Sequence, residues 1–198
     1  KFFKVMLGLK LATDPRWVNL AEKSLVEILS DHAYCEQKAA STCISLIQLY
    51  PDKEDIVEAV APIVAEEWSH FRSVLQKLKD KNLKLGFQRN DDYVNELLKF
   101  QKKGGNREDR MIDKLLICAM IEARSCERFR LLSLHLEDAE LREFYHTFMV
   151  SEAGHYRLFI DLAKTHQEHD KVNTRWKELL DYEASLMKSW DLSGHRIH

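Results

Sequence analysis

The sequence predicts an all-α protein made of two antiparallel helical hairpins joined by a long crossover. Only 6 Gly and 3 Pro occur in 198 residues, which leaves few turns for an all-β chain. Apolar residues recur at helical spacing, and helix-favouring Leu, Ala, Glu and Lys are abundant. A motif at residue 67 also recurs at residue 152, which indicates that both halves share one architecture.

Capping residues and helix breakers predict the elements in order. Asp14-Pro15 starts a helical region that runs to about Tyr50, with Ser30-Asp31 as a candidate break. Pro62 should bend the next helix or split off its first two turns, and Gly104-Gly105 should stop a short crossover helix. The remaining helices are predicted at about 53–80, 92–103, 107–136, 139–164 and 170–190.

One domain, residues 1–198, is expected, with a four-helix core at about 30–165 and a crossover at about 81–106. The net charge of −2 excludes a histone-like polycation, so any nucleic-acid contact must come from a local patch. The sequence has neither a membrane-spanning stretch nor a signal peptide, which predicts a cytoplasmic protein. Four cysteines without paired spacing are expected to be free core thiols: Cys35, Cys43, Cys118 and Cys126.

The repeated motif is E-x-x-H-aromatic-R. Residues 67–72 read EWSHFR and residues 152–157 read EAGHYR. A helix with a core-facing glutamate precedes each copy, since Glu36 lies 31 residues before Glu67 and Glu122 lies 30 residues before Glu152. That distance takes the chain along one helix, round a loop and back to the same level. Each hairpin therefore offers two glutamates and one histidine at one height.

These side chains predict a site for two metal ions. The four glutamates fall on apolar helical stripes, and ionised carboxylates are stable there only if a proton, a base or a cation compensates them. Carboxylate-rich ligation with one imidazole per ion suits iron or manganese better than structural zinc. The predicted ligands are Glu36, Glu67, His70, Glu122, Glu152 and His155.

Other candidates are weaker. Tyr34 and Tyr156 are potential hydrogen-bond donors beside the ligands, although aromatic residues on helices more often pack. Glu143 and His146 form a chance E-x-x-H match that is out of phase with the site. Glu66 and Glu127 are also out of register and are expected to be solvated or ion-paired.

The order of these ligands resembles the ferritin-like di-iron carboxylate superfamily over about residues 30–165. More narrowly, the bacterial tRNA 2-methylthio-isopentenyladenosine hydroxylases are similar in four segments: 14–17 (DPRW), 31–40 (DHAYCEQKAA), 66–71 (EEWSHF) and 151–156 (SEAGHY). All six ligand positions of that family are filled in this sequence.

The resemblance implies a ferritin-like four-helix bundle with extra terminal helices and a di-iron monooxygenase. Its substrate would be the isopentenyl side chain of the modified adenosine beside the tRNA anticodon, and dioxygen would be the co-substrate. The sequence has neither a G-x-G-x-x-G fingerprint nor a cysteine cluster, so a separate reductase must supply electrons. A monomer or a small oligomer is expected.

A local basic segment is a candidate tRNA contact. Residues 77–110 contain ten Lys or Arg and six acids, a net charge of +4. A solvated charged loop explains this composition equally well. The patch residues are Lys99, Lys102, Lys103, Arg107 and Arg110.

Three other functions remain alternatives. Iron storage, as in ferritin and bacterioferritin, uses a similar centre inside a large shell, so assembly size separates it from a hydroxylase. A peroxide-handling di-metal enzyme is the second, although a rubrerythrin would need a cysteine module that this sequence lacks. A metal-free helical interaction module would leave the buried carboxylates unexplained.

Overall fold

A computed structural model describes residues 7–190 and 196–197. The described residues form seven helices and no strand, which confirms the all-α prediction. None of these helices has both the length and the apolar character needed to cross a membrane. The helices are α1 (Trp17–Lys23), α2 (Leu25–Leu49), α3 (Glu54–Asp80), α4 (Asp92–Lys99), α5 (Arg107–His135), α6 (Ala139–His166) and α7 (His169–Lys188).

The chain forms two compact units. The first contains residues 19–90 and 196–197, and the second contains residues 7–18 and 91–190. In the first unit α2 packs against α3 as a hairpin, and in the second α5 packs against α6. Helix α7 packs on both α5 and α6, while α4 packs on α5. The single domain over 1–198 stays a prediction.

The predicted break at Ser30-Asp31 is wrong, because the break lies at Ser24. The Ser24 amide donates to Ala21 O, and the Ser24 carbonyl accepts from the Ile28 amide at 2.9 Å as α2 begins. Ser30 instead continues α2, with its Oγ donating to Val26 O at 2.7 Å. Asp31 accepts a hydrogen bond of 2.7 Å from the Ile197 amide. Both polar side chains at the expected break therefore make contacts compatible with a continuous helix.

Pro62 lies inside α3, and the helix is not split. Ile56, Val60 and Ile63 are buried on both sides of the proline, so packing holds this segment in register. A proline removes one backbone hydrogen bond, and the buried apolar stripe compensates for that loss.

Helix α4 ends at Lys99 instead of the predicted 103. Tertiary contacts take over the backbone there, because Phe100 O accepts from Arg175 at 2.9 Å and the Lys102 amide donates to Asp113 at 2.8 Å. Gly104 and Gly105 have φ values of 90° and 80°, a left-handed conformation that glycine adopts without strain. The predicted ends of α5, α6 and α7 lie within two residues of those observed.

Candidate metal centre

The first unit brings together Glu36 from α2 with Glu67 and His70 from α3. We call these three residues the first half-site. Each offers one ligand atom within 4.8 Å of the others. His70 Nδ1 lies 3.3 Å from Glu36 Oε2 and 3.5 Å from Glu67 Oε2. The two glutamates are buried, and 14% of the His70 side chain is exposed. The hairpin thus produces the chelating geometry expected from the i, i+3 spacing.

The second unit repeats this arrangement with Glu122 from α5 and Glu152 and His155 from α6, the second half-site. Their ligand atoms also lie within 4.8 Å of one another. His155 Nδ1 is 3.3 Å from Glu152 Oε2, and all three side chains are buried. Both predicted ligand sets are therefore assembled inside their own hairpins.

The donor chemistry of both half-sites fits a divalent cation. Each half-site holds two carboxylates that are at most 7% exposed beside one imidazole. Two neighbouring buried carboxylates repel each other, and a divalent ion removes that repulsion while using all three donors. Oxygen and nitrogen ligands of this type suit first-row transition metals. The structure therefore supports metal binding by these residues.

His32 is a residue of the site that the sequence analysis missed. Its ring is fully buried, and Nε2 lies 2.7 Å from Glu36 Oε1. The other oxygen of Glu36 lies 3.3 Å from His70 Nδ1, so the carboxylate is placed between the two imidazole rings. The available signal was the four-residue spacing from His32 to Glu36, which places both on one face of α2.

Tyr34 and Tyr156, the two candidate hydrogen-bond donors, contact other groups. The Tyr34 hydroxyl donates to Gly86 O at 2.9 Å. The Tyr156 ring packs against Trp176 with centroids 5.8 Å apart, and burial raises the pKa of its hydroxyl. Tyr34 thus attaches the loop at Gly86 to α2, and Tyr156 packs against Trp176.

The side chains predicted to be out of register lie where expected. Glu127 accepts from the Thr13 amide at 2.8 Å and from Arg124 at 3.1 Å, so it is ion-paired. Glu66 is exposed, with its carboxylate 3.8 Å from His70 Nε2. Glu143 and His146 are both exposed, as expected for side chains that face away from the proposed ligands.

None of the four cysteines is in a disulfide, as predicted. Cys43, Cys118 and Cys126 are buried, while Cys35 is partly buried. Burial raises the pKa of Cys118 to about 12. Burial, together with the negative charge of Glu152, also raises the pKa of Cys126 to about 12. These two thiols are therefore protonated at neutral pH and behave as core residues.

The basic patch lies around the end of α4 and the start of α5. Lys99 pairs with Glu96 at 2.5 Å, and Arg110 donates to Gly105 O at 2.8 Å. Lys102 and Lys103 are exposed, whereas Arg107 is half-buried. The two lysines thus project from a glycine loop whose backbone is anchored at Lys102.

Comparison with solved structures supports a ferritin-like fold. The protein described as "Protein 43 with aldehyde deformylating oxygenase activity from Synechococcus" matches with a TM-score of 0.89 and 32% identity. The match covers 96% of this chain and 94% of that one. The predicted fold class is confirmed.

Two curated relatives carry the name tRNA 2-(methylsulfanyl)-N(6)-isopentenyladenosine(37) hydroxylase. The protein from Pseudomonas putida is 36% identical over 179 residues, covering 90% of this chain and 86% of its own length. The protein from Salmonella typhimurium is 26% identical over 236 residues, covering 94% of this chain and 86% of its own length. The family described as tRNA-(MS[2]IO[6]A)-hydroxylase (MiaE) matches residues 3–198. The chain therefore belongs to this tRNA hydroxylase family.

Proposed function

We propose that this protein is a di-iron monooxygenase that hydroxylates the isopentenyl side chain of the 2-methylthio-isopentenyl adenosine beside the tRNA anticodon. The observation that carries the proposal is the duplicated half-site of two glutamates and one histidine in a member of this hydroxylase family. The names of the curated relatives support the choice of substrate.

We propose that the two half-sites hold two iron ions. Glu36, Glu67 and His70 would supply one set of ligands, and Glu122, Glu152 and His155 would supply the other. Ferrous iron would supply the activation of dioxygen, with two electrons delivered by a separate reductase.

The chain's own residues would provide a dry and ordered environment. Val60, Ile63 and Val74 are buried along the α3 face that carries the first half-site. Phe148 and Phe159 are buried along the α6 face that carries the second. Apolar walls exclude water and favour an aliphatic side chain such as an isopentenyl group. His32 would hold the Glu36 carboxylate in a fixed orientation.

The basic patch is our proposed contact to the anticodon arm. Lys99, Lys102, Lys103, Arg107 and Arg110 would bind backbone phosphates. The target nucleotide would have to be turned out of its stack to reach a buried site. A tRNA substrate implies a cytoplasmic enzyme, and we propose that it works as a monomer or small oligomer.

Metal content and turnover test the proposal together. Wild-type protein should bind about two irons per chain and form the hydroxylated nucleoside from isopentenylated tRNA, dioxygen and reductant. Glu67→Ala and His155→Ala should each lose iron and activity. Glu143→Ala and His146→Ala are matched controls, because this exposed E-x-x-H pair should leave the iron content unchanged. Iron binding without product would contradict the hydroxylase and favour storage or another substrate.

The patch is tested separately. Changing Lys102, Lys103 and Arg107 to Gln should weaken tRNA binding and lower its salt dependence. The matched control changes three exposed lysines of α7 to Gln: Lys171, Lys177 and Lys188. Unchanged affinity in the patch variant would show that these residues form a solvated loop.

A further inference from the structure

We propose that Phe87 is a stacking platform for an unpaired base of the tRNA anticodon loop. This inference rests on the proposed function, because that function makes tRNA the substrate. Phe87 lies in the crossover segment 81–90, which belongs to the first unit and was not among the predicted patch residues.

The exposure of Phe87 is the first observation. Its side chain is 97% exposed, whereas Val150, which is also an exposed large apolar residue, reaches 58%. Moving an aromatic ring out of water lowers the free energy. A ring held almost entirely in solvent is therefore suited to stacking against a binding partner.

The backbone beside Phe87 is held firmly. The Gly86 amide donates to Ser30 Oγ at 2.9 Å, and Gly86 O accepts from the Tyr34 hydroxyl at 2.9 Å. A Cβ on residue 86 would lie only 3.2 Å from Ser30 Oγ, which explains why glycine fits this close approach. Arg89 adds an ion pair of 2.6 Å to Glu27. The ring therefore projects from a segment attached at successive turns of α2, which reduces the entropy lost when it binds a ligand.

The charge around Phe87 favours a nucleic acid over a protein partner. Residues 81–90 have no acidic residue and contain two lysines, Lys81 and Lys84, besides Arg89, which is paired with Glu27. Protein interfaces usually have apolar cores depleted of charge, whereas single-stranded nucleic acids bind to aromatic rings set among cations. Splayed bases of RNA loops stack on such rings. The Tyr34 hydroxyl, which bonds to Gly86 O beside Phe87, lies two residues before Glu36 on α2. The platform is therefore attached to a helix that carries the first half-site.

The test measures binding of an anticodon stem-loop RNA that carries the modified adenosine. Phe87→Ala should raise the Kd by about tenfold or more, as expected for loss of one stacked base. Phe87→Trp should keep the affinity, and its added indole fluorescence should be quenched on binding. Leu134→Ala is the matched control, because Leu134 is 53% exposed on α5 and should leave the Kd unchanged. All variants should retain the wild-type iron content and helical circular dichroism.

A contribution from charge is tested with Lys84→Gln. The slope of log Kd against log salt should fall by about 0.7 to 1, the value for loss of one phosphate contact. If Phe87→Ala binds the RNA with wild-type affinity and the wild type hydroxylates tRNA, the stacking platform is overturned and the proposed function stands. Loss of reductase-driven turnover in Phe87→Ala with unchanged RNA affinity would also overturn it and identify a reductase contact. A wild type that neither binds nor hydroxylates tRNA would overturn both proposals.

Discussion

His32 lies 2.7 Å from Glu36 in the interior of the first unit, and the corresponding position in the second half of the chain is Cys118. Both residues precede a predicted ligand by four positions, since Cys118 comes four before Glu122. A ring nitrogen hydrogen-bonds to a carboxylate and restrains it, whereas a protonated thiol is a weak donor. The two half-sites therefore have the same ligand types but different support.

This asymmetry predicts unequal metal affinities. His32→Leu should weaken metal binding at the first half-site by about 10- to 100-fold, because the Glu36 carboxylate loses its fixed partner. His32→Gln should restore part of the affinity through its amide. Cobalt titration followed by visible absorption measures both effects. Cys118→Ala is the control, and an equal loss in that variant would contradict a specific role for His32.

Arg124 and Glu183 form a fully buried ion pair in the second unit, with nitrogen and oxygen 2.6 Å apart. Burial by itself lowers the pKa of Arg124, but Glu183, Tyr93 and Glu127 together outweigh this effect and the pKa is raised. Arg124→Met should lower the free energy of unfolding by about 3 to 5 kcal/mol, because it leaves the Glu183 side chain buried without the guanidinium that pairs with it. Arg124→Met combined with Glu183→Leu should recover much of that loss. Urea denaturation tests both expectations, and a single-variant loss below about 1 kcal/mol would contradict them.

Asp113 fixes the loop that carries Lys102 and Lys103. Its carboxylate accepts from Arg175 Nε at 2.7 Å and from the Lys102 amide at 2.8 Å. Asp113→Ala should cost about 1.5 to 3 kcal/mol of stability, since the half-buried Arg175 loses its bond to this carboxylate and keeps only Phe100 O and Glu178 as partners. Hydrogen exchange of the Lys102 amide should become faster. Asp113→Asn keeps an acceptor and should have a smaller effect, and unchanged exchange in Asp113→Ala would contradict the anchor.

The buried thiols predict a loss of stability at alkaline pH. Burial raises the pKa of Cys118 to about 12 in the folded chain. The unfolded chain ionises this thiol near pH 9, so it binds fewer protons than the folded chain between about pH 9 and 12. The stabilising contribution is complete below pH 9 and falls above it, by at most about 1.4 kcal/mol per pH unit for each thiol.

Cys118→Val should therefore have a flatter stability profile between pH 9 and 12 than the wild type. Denaturant unfolding at a series of pH values measures the difference. Cys35→Val provides the comparison, because Cys35 is only partly buried and should keep a profile closer to the wild type. Parallel profiles for Cys118→Val and wild type would show that this thiol does not contribute to the pH dependence of stability.

Several features were predictable because they depend on residues close in sequence. Apolar periodicity predicted the helices, and spacings of three residues placed Glu67 with His70 and Glu152 with His155. The 30- and 31-residue separations then placed Glu122 and Glu36 beside those pairs, because a hairpin is enough to bring each set of donor atoms together. His32 was within reach of the same reasoning, since it lies one helical turn before Glu36.

The tertiary structure decided the features that depend on distant residues. Ser30 and Asp31 were expected to break the helix, yet they remain helical, and their side chains accept from the amides of Gly86 and Ile197. Helix α4 ends early because Arg175 and Asp113 bind the backbone that would have continued it. The physical reason is that local patterns determine helix periodicity, whereas a polar side chain binds whichever partner the fold brings within hydrogen-bond distance. The sequence alone therefore determined the helices and the residues that meet in each half-site, and packing decided where helices end and which residues contact the half-sites.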